Sequence, residues 1–299
     1  MPQFIDIGAN LTDAMYQGSY HGKSYHSPDL DLVIQRSLSN AVNHIVVTAG
    51  TVDDTLEALQ LCNNYSCLST TIGIHPTRAT HFLNSKTSLS SLTTLYHDNS
   101  SKISFLGELG LDYDRFQFSK KEDQHKVLEM QLTELAPLVP KPLFIHSRNS
   151  TDDMIEFITS HSDIFCSRKF VVHSFTDGID AMKSFVAKGA YIGINGCSLR
   201  TQEGLNTVQE LPLDKLILET DAPWCGIKRS HLGCDFVKSS FPVVKRNKYA
   251  LDENTMVKDR NEPSCIRQVA EVVACVKDLS VEEVAETVYG NTRILLGMD

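Results

Sequence analysis

The stretch Phe105-Leu106-Gly107-Glu108 is an apolar run that ends on a side chain able to bind a metal ion. The same pattern recurs at Leu143-Phe144-Ile145-His146, Phe170-Val171-Val172-His173 and Leu216-Ile217-Leu218-Glu219-Thr220-Asp221. The runs are too short for helices, and continuous apolar runs of this length are typical of buried strands. A carboxylate or an imidazole at the carboxyl end of each strand predicts a shared rim of metal ligands, which indicates a metalloenzyme.

Strand-like runs alternate with segments of helical apolar spacing along most of the chain. The predicted strands are residues 4–7, 44–48, 70–74, 103–107, 143–145, 170–172, 191–194 and 216–219, and the predicted helices are 30–40, 55–62, 124–139, 153–159, 179–187, 204–211, 263–277 and 281–288. This alternation predicts an α/β fold, the (β/α)8 TIM barrel. A doubly wound open sheet is the alternative, but it explains the polar strand ends less well, because barrel enzymes keep their chemistry at one mouth.

Length and composition favour one globular domain over residues 1–299. The formal net charge is −9, and no apolar stretch is long enough to cross a bilayer. The beginning Met1-Pro2-Gln3-Phe4 lacks the basic and apolar segments of a signal peptide, so we expect an intracellular protein of the nucleus, the cytoplasm or both. The eight cysteines include no Cys-x-x-Cys pair, which favours reduced thiols over a disulfide framework or a zinc knuckle.

Residues 228–260 form a long segment with few regular patterns and a basic balance. It contains Lys228, Arg229, Lys238, Lys245, Arg246, Lys248, Lys258 and Arg260 against Asp235, Asp252, Glu253 and Asp259. Because the segment follows the last predicted strand, we predict a basic insertion over the barrel mouth, which would suit a substrate that carries phosphate. A solvated loop without a ligand is the alternative.

Each candidate ligand, taken alone, has an ordinary structural explanation. Glu108 alone is more often a salt-bridge partner, and a single histidine such as His146 or His173 is more often a satisfied core or rim residue. Asp221 alone could cap the next turn. Two histidines on neighbouring strands with acidic residues beside them resemble the mixed sets that hold Zn, Mn or Mg, so the combination favours a metal site.

Six motifs occur along the chain in a fixed order: Gly73-Ile74-His75-Pro76, Gly107-Glu108-Leu109-Gly110-Leu111-Asp112-Tyr113, Ile145-His146-Ser147-Arg148, Val172-His173-Ser174-Phe175, Glu219-Thr220-Asp221-Ala222-Pro223 and Arg260-Asn261-Glu262-Pro263. Together they resemble the signatures of the TatD family of metal-dependent deoxyribonucleases. The resemblance covers nearly the whole chain, and Asn291-Thr292-Arg293 is similar to the family's final helix. Trp224-Cys225 and the basic insertion resemble the eukaryotic branch of the family.

The resemblance implies a barrel of the metal-dependent hydrolase superfamily that cuts DNA phosphodiester bonds with two divalent ions. By position, Glu108 would bridge the ions, and His146 and His173 would bind one of them. Asp221 would bind the other ion and position or deprotonate water. The resemblance therefore makes Glu108 and Asp221 the expected catalytic residues.

Three further polar residues are expected to contact the phosphates of the substrate. They are Asn10, His75 and Arg148, which lie at or just beyond predicted strand ends. Arg148 offers a bidentate fork, and its alternative is a salt bridge with Asp152 or Asp153.

One departure from the family pattern concerns the first strand. Many relatives have His-x-His there, and this chain has Gly8 and Asn10 in those places, so one ion loses two nitrogen ligands. Asp6 would compensate in part, as an extra ligand or as a group behind the ligands. Because the remaining set is oxygen-rich, we expect two divalent ions per chain, Mg2+ or Mn2+ rather than a tight Zn2+ pair, with Zn2+ left open.

The expected partner is DNA without sequence preference, because nothing in the chain resembles a groove-reading helix. Tyr113 and Trp224 could stack on a base, although an aromatic side chain beside a pocket more often packs against protein. Exonuclease action of 3'–5' polarity is favoured, with endonuclease action left open, and neither a membrane nor an obligate protein partner is expected. The alternatives are a barrel metallohydrolase acting on a small ester, amide or phosphoester, and a non-catalytic scaffold.

Overall fold

The computed structural model describes residues 2–298, in which eight β-strands alternate with α-helices. The strands lie in chain order in one sheet, and they are β1 Phe4–Ala9, β2 Val42–Val47, β3 Leu68–Ile72, β4 Ile103–Asp112, β5 Leu143–Arg148, β6 Phe170–Val172, β7 Tyr191–Ile194 and β8 Leu216–Leu218. All eight predicted strands are present. The fold is the predicted (β/α)8 barrel.

The helices connect the strands and follow the last one. They are α1 Leu30–Ser39, α2 Val52–Asn64, α3 Ala79–Asn84, α4 Leu89–Asn99, α5 Lys121–Met130, α6 Thr151–Ser160, α7 Ser162–Ser167, α8 Ile179–Ala187, α9 Gln202–Glu210, α10 Ile266–Lys277 and α11 Val281–Leu296. The predicted helices are all present; α8 has the predicted ends, and the others differ at one or both ends, whereas α3, α4 and α7 were not predicted. Within residues 2–298, no helix is long and apolar enough to cross a membrane.

The predicted helix 124–139 begins at Lys121 as α5 and changes at Gln131 into a π-helical turn, Gln131–Leu135. The backbone N–H of Ala136 donates to the carbonyl oxygen of Gln131 at 2.8 Å. The buried amide of Gln131 accepts from the N–H of Ile74 at 2.7 Å and donates to the carbonyl oxygen of Ile74 at 3.0 Å. Gln131 therefore fixes the backbone immediately before His75.

The chain divides into two compact units, of which unit 1 is Met1–Ile45 with Ile194–Thr292 and unit 2 is Val46–Gly193 with Arg293–Asp299. Within unit 2, β3 to β7 pair side by side in parallel. The register between β4 and β5 pairs Gly110 with His146 and Asp112 with Arg148. The single domain over residues 1–299 stays a prediction.

The segment 228–260 lies in unit 1 and has only short regular elements, as predicted. Its main pairing is a short parallel ladder between Val243–Val244 and Met256–Val257. The exposed basic side chains of the segment are those of Lys228, Arg229, Lys238, Lys245, Lys248 and Lys258. Arg260, which the sequence analysis counted with them, is buried. The position of this segment over the barrel mouth stays a prediction.

Arg260 belongs to a buried ion network in unit 1, which also contains Asp29, Arg36 and Glu262. Arg260 donates to both oxygens of Asp29, at 2.7 and 2.6 Å, and to Glu262 at 2.9 Å. Arg36 donates to both oxygens of Glu262, at 2.8 and 3.0 Å. The network thus joins helix α1 to the residues that precede α10, with two positive and two negative charges.

Candidate metal centre

Three imidazoles surround one buried carboxylate in unit 2. Oε1 of Glu108, on β4, lies 2.5 Å from Nε2 of His173, 2.9 Å from Nδ1 of His146 and 3.2 Å from Nε2 of His75. His146 lies on β5 and His173 follows β6 directly. Because these parallel strands are neighbours, residues far apart in sequence meet at one place. The structure thus brings together three of the four predicted metal ligands, with His75 beside them.

A glycine lets β4 and β5 approach each other closely beside this cluster. Gly110 has a φ of +141°, and a Cβ atom there would lie 1.9 Å from the carbonyl oxygen of His146. Any side chain at this position would collide with the backbone of β5. Gly110 therefore allows the backbones of β4 and β5 to come this close beside Glu108.

Asp112 is part of the cluster, although it was not among the predicted site residues. Its Oδ2 lies 3.1 Å from Nε2 of His146. An imidazole that donates Nε2–H to Asp112 turns Nδ1 toward Glu108, and a carboxylate behind a histidine commonly orients a metal ligand in this way. A signal was available, because Glu108, Gly110 and Asp112 alternate as residues on one face of an extended strand do.

The charges in the cluster depend on one another. Burial raises the pKa of Glu108, but electrostatic attraction to the imidazoles of His173 and His75 and hydrogen bonds from His146 and His173 outweigh burial and hold that pKa well below its usual range. Burial lowers the pKa of His146, whereas its hydrogen bonds with Asp112 and Glu108 raise it above its ordinary value. An ionised oxygen among imidazole nitrogens is the donor set that divalent ions bind.

His75, Glu108 and His146 have ligating atoms within 4.8 Å of one another, which suits a metal site. His75 is nevertheless held in one tautomer, because the backbone N–H of Thr77 donates to its Nδ1 at 3.1 Å. Burial lowers the pKa of His75, and Glu108 offsets this only in part, so the ring is neutral and carries its proton on Nε2. His75 is therefore mainly a hydrogen-bond donor, through its Nε2–H group.

Arg148, at the end of β5, contacts the hydroxyl of Thr176 and donates to the carbonyl oxygen of Ser174 at 3.3 Å. The alternative explanation, an ion pair with Asp152 or Asp153, is wrong: no such pair exists in the part of the chain that the structure describes. Asp153 instead pairs with Lys121 at 2.6 Å. The contact of Arg148 with phosphate stays a prediction.

Tyr113 contacts Asp153 through its hydroxyl, and its ring lies 5.2 Å from that of Phe116. The ring of Tyr113 therefore packs against protein, which is the ordinary alternative that the sequence left open. Trp224 differs, because 47% of its surface is exposed.

Asp221 lies in unit 1, directly after the strand β8 and the residues Glu219 and Thr220. Nδ2 of Asn10 donates to its Oδ1 at 2.9 Å, and the thiol of Cys225 donates to its Oδ2 at 3.1 Å. Asn10 thus contacts the predicted water-binding carboxylate directly. The metal, catalytic and phosphate roles of these residues stay predictions.

Asp6 is fully buried on β1 in unit 1. Its Oδ1 accepts from the N–H groups of Gly8, at 3.2 Å, and Thr220, at 3.0 Å, and its Oδ2 lies 2.5 Å from the hydroxyl of Thr220. Burial raises the pKa of Asp6 to about 8 despite these hydrogen bonds. The geometry favours the second of its two predicted roles, support for the backbone that leads to Asp221.

All eight cysteines are free thiols, as predicted.

A family model described as TatD related DNase matches residues 5–297. The chain belongs to the TatD family. Membership of this family accounts for the motifs, the barrel and the cluster of histidines and carboxylates. This TatD chain is a hydrolase.

The match to relatives and solved structures covers nearly the whole TatD chain. It is 40% identical over 300 residues to "Deoxyribonuclease Tat-D" of Schizosaccharomyces pombe, which covers 98% of this chain and 96% of the relative. It is 29% identical to "3'-5' ssDNA/RNA exonuclease TatD" of Erwinia amylovora, over 98% of this chain and 100% of that one. The crystal structure of a TatD family hydrolase from Entamoeba histolytica has a TM-score of 0.93 and 38% identity, over 98% of each chain.

Proposed function

We propose that this chain hydrolyses phosphodiester bonds in DNA with divalent metal ions. The observation that carries the proposal is the convergence of three imidazoles on Oε1 of Glu108, at distances of 2.5 to 3.2 Å, in a barrel of the TatD family. The name of the Schizosaccharomyces pombe relative, a deoxyribonuclease, supports DNA as the substrate.

The donor set fits divalent ions. Glu108, His146 and His173 would hold one ion, with Asp112 orienting His146, and Asp221 would hold a second. Bound ions of this kind polarise a phosphoryl oxygen, make a bound water more acidic and offset negative charge on the leaving oxygen. The oxygen-rich set favours Mg2+ or Mn2+ over a tight Zn2+ pair.

Other side chains would handle the water molecule and bind the phosphate oxygens. The carboxylate of Asp221, which accepts hydrogen bonds from Asn10 and Cys225, would orient a water molecule and accept its proton. Neutral His75 offers an Nε2–H group, and Arg148 offers a guanidinium, so both would donate hydrogen bonds to phosphate oxygens. Positioning and electrostatics, rather than a covalent intermediate, would carry the reaction.

The name of the Erwinia amylovora relative supports 3'–5' exonuclease action, with endonuclease action in addition left open. Contacts with phosphates and unpaired bases carry little sequence information, so cleavage should be independent of sequence. No protein partner is needed for these steps.

The test is cleavage of end-labelled DNA by the purified chain with Mg2+, Mn2+, Zn2+ or a chelator. Glu108→Gln removes the charge on which the imidazoles converge and should lower the rate about a thousandfold, with the urea midpoint of unfolding retained. Glu57→Gln, an exposed carboxylate on α2, is the matched control and should cleave normally. Cleavage that persists in chelator or in Glu108→Gln would reject the proposed function.

A further inference from the structure

A cavity of about 950 Å³ lies wholly within unit 1, and we call it the unit 1 pocket. Trp224, Lys228, Arg229, Arg246 and Lys258 are among the residues that line it. Small-molecule sites typically measure roughly 300–1,000 Å³. The pocket therefore has room for a nucleotide and its flanking phosphates.

The lining of the unit 1 pocket carries an excess of positive charge, because among the described residues that form it Asp259 is the one carboxylate, against Lys228, Arg229, Arg246 and Lys258. Lys228, Arg229 and Lys258 are exposed, and across residues 2–298 no carboxylate oxygen lies within 4.0 Å of their charged nitrogens. Arg260 also lines the pocket, but its charge is matched by Asp29 and Glu262. In a protein with a net charge of −9, three unmatched cations in one concave place indicate a site for an anion, and phosphate is the anion that this donor set binds well.

The same pocket offers a flat apolar surface beside the cations. Trp224 is half-exposed, and its backbone N–H donates to the carbonyl oxygen of Asp221 at 2.9 Å, which fixes the turn that carries it. Arg246 is held in place, because its guanidinium lies 4.9 Å from the ring centre of Tyr20 and 5.1 Å from that of Tyr25. Stacking of a base on an aromatic side chain such as Trp224 contributes about 1–3 kcal/mol to the free energy of binding. Only an unpaired base can stack there.

We propose that the unit 1 pocket binds an unpaired nucleotide of a single-stranded nucleic acid. The base stacks on Trp224, and Lys228, Arg229 and Lys258 bind the phosphates on either side of it. This inference rests on the proposed function, since the strand bound here is the one to be cut, but the pocket binds and does not catalyse. Its consequence is a preference for single strands over duplex.

The chain has one tryptophan, so its intrinsic fluorescence reports on this pocket directly. With chelator present to prevent hydrolysis, a hexamer of deoxythymidylate should quench the fluorescence of Trp224 in a saturable way, and less well as salt rises. A hexamer of uridylate shows whether the site takes RNA as well as DNA. A hairpin duplex of equal charge should quench at least about tenfold more weakly, because its bases are paired.

The decisive variant is Lys228→Ala with Arg229→Ala and Lys258→Ala, which removes three charges from the pocket. The matched control is Lys86→Ala with Lys126→Ala and Lys188→Ala, three exposed lysines of unit 2. The pocket variant should need about tenfold more hexamer for half-maximal quenching, and the control should need the same amount as the unchanged chain. Urea unfolding of both variants checks that the fold is retained.

The proposal is overturned if the hexamer leaves Trp224 fluorescence unchanged, if duplex quenches as well as single strand, or if both triple variants weaken binding equally. Because the readout is binding in chelator, it is independent of cleavage. Quenching by a chain that cuts nothing would keep the pocket and reject the proposed function. Cleavage by a chain whose Trp224 fluorescence does not respond to the hexamer would reject the pocket and keep the proposed function.

Discussion

In unit 1, two arginines face two carboxylates, and in unit 2, three histidines face Glu108. Guanidinium groups stay charged at all ordinary pH values, so the network of Arg36 and Arg260 is permanent and its charges balance. Imidazoles gain and lose protons near neutrality, so the charge around Glu108 can change. Fixed charges thus suit the joining of backbone segments, whereas exchangeable donors suit a site for a divalent cation.

The largest effect on stability should follow from breaking the unit 1 network. Glu262→Gln removes the negative charge that Arg36 and Arg260 share, and unpaired buried charge costs about 3–5 kcal/mol in the free energy of unfolding, measured with urea. Exposed Glu253→Gln is the control and should change it by less than about 0.5 kcal/mol. A loss below about 1 kcal/mol in Glu262→Gln would show that the network does not join α1 to the segment before α10.

Metal should stabilise the chain through the unit 2 cluster. At a Mn2+ concentration about one hundred times its dissociation constant, the free energy of unfolding should rise by about 2.7 kcal/mol, because the folded state alone binds the ion. Chelator should reverse the gain, and Glu108→Gln should show none of it. An equal gain in that variant would place the ion elsewhere.

Asp112 should act through the ring of His146. Asp112→Ala leaves that ring without its orienting carboxylate, so we expect Mn2+ affinity, measured by calorimetry, to fall about 10- to 100-fold. The control is Asp114→Ala, an exposed residue two positions along, which should leave the affinity unchanged. Equal affinities in the two variants would remove Asp112 from the site.

A smaller effect concerns pH and Asp6. Its folded pKa of about 8 lies above the ordinary value of about 4, so the folded chain holds a proton that the unfolded chain releases. The stability from this group is complete below pH 4 and is lost as pH rises toward 8, with a slope of at most about 1.4 kcal/mol per pH unit. In chelator, Asp6→Asn should flatten this decline, because its amide imitates the neutral acid. If the free energies of unfolding of the unchanged chain and of Asp6→Asn, measured with urea, changed in parallel between pH 5 and 8, this would contradict a protonated Asp6.

The strands and three residues of the unit 2 cluster were predictable because a buried parallel strand is a continuous apolar run. The end of such a run shows where the apolar residues of a strand end, but the strand itself can continue further. The predicted strand 103–107 continues to Asp112, and that extra length brings Asp112 to His146. Helix α4 was missed because serine and threonine, which favour helices only weakly, fill much of it.

Charge patterns say nothing of burial, which is why Arg260 was counted with the basic residues of the segment 228–260. Its partner Asp29 is 231 residues earlier in the chain, and no local pattern connects the two. The tautomer of His75 is equally invisible in sequence, because it depends on a backbone N–H that reaches Nδ1 only in the folded turn. The sequence thus predicts residue types at a site better than the contacts that decide what each residue does.

The π-helical turn Gln131–Leu135 has a consequence for changes in chain length. A π turn contains an additional residue compared with an α turn, so deleting one residue there would leave a more regular helix. The same deletion would rotate the residues on one side of it by about 100° relative to the other. The amide of Gln131 would then leave Ile74, which lies 57 residues earlier, and His75 would lose its anchor. A chain shortened in this way should therefore cut poorly.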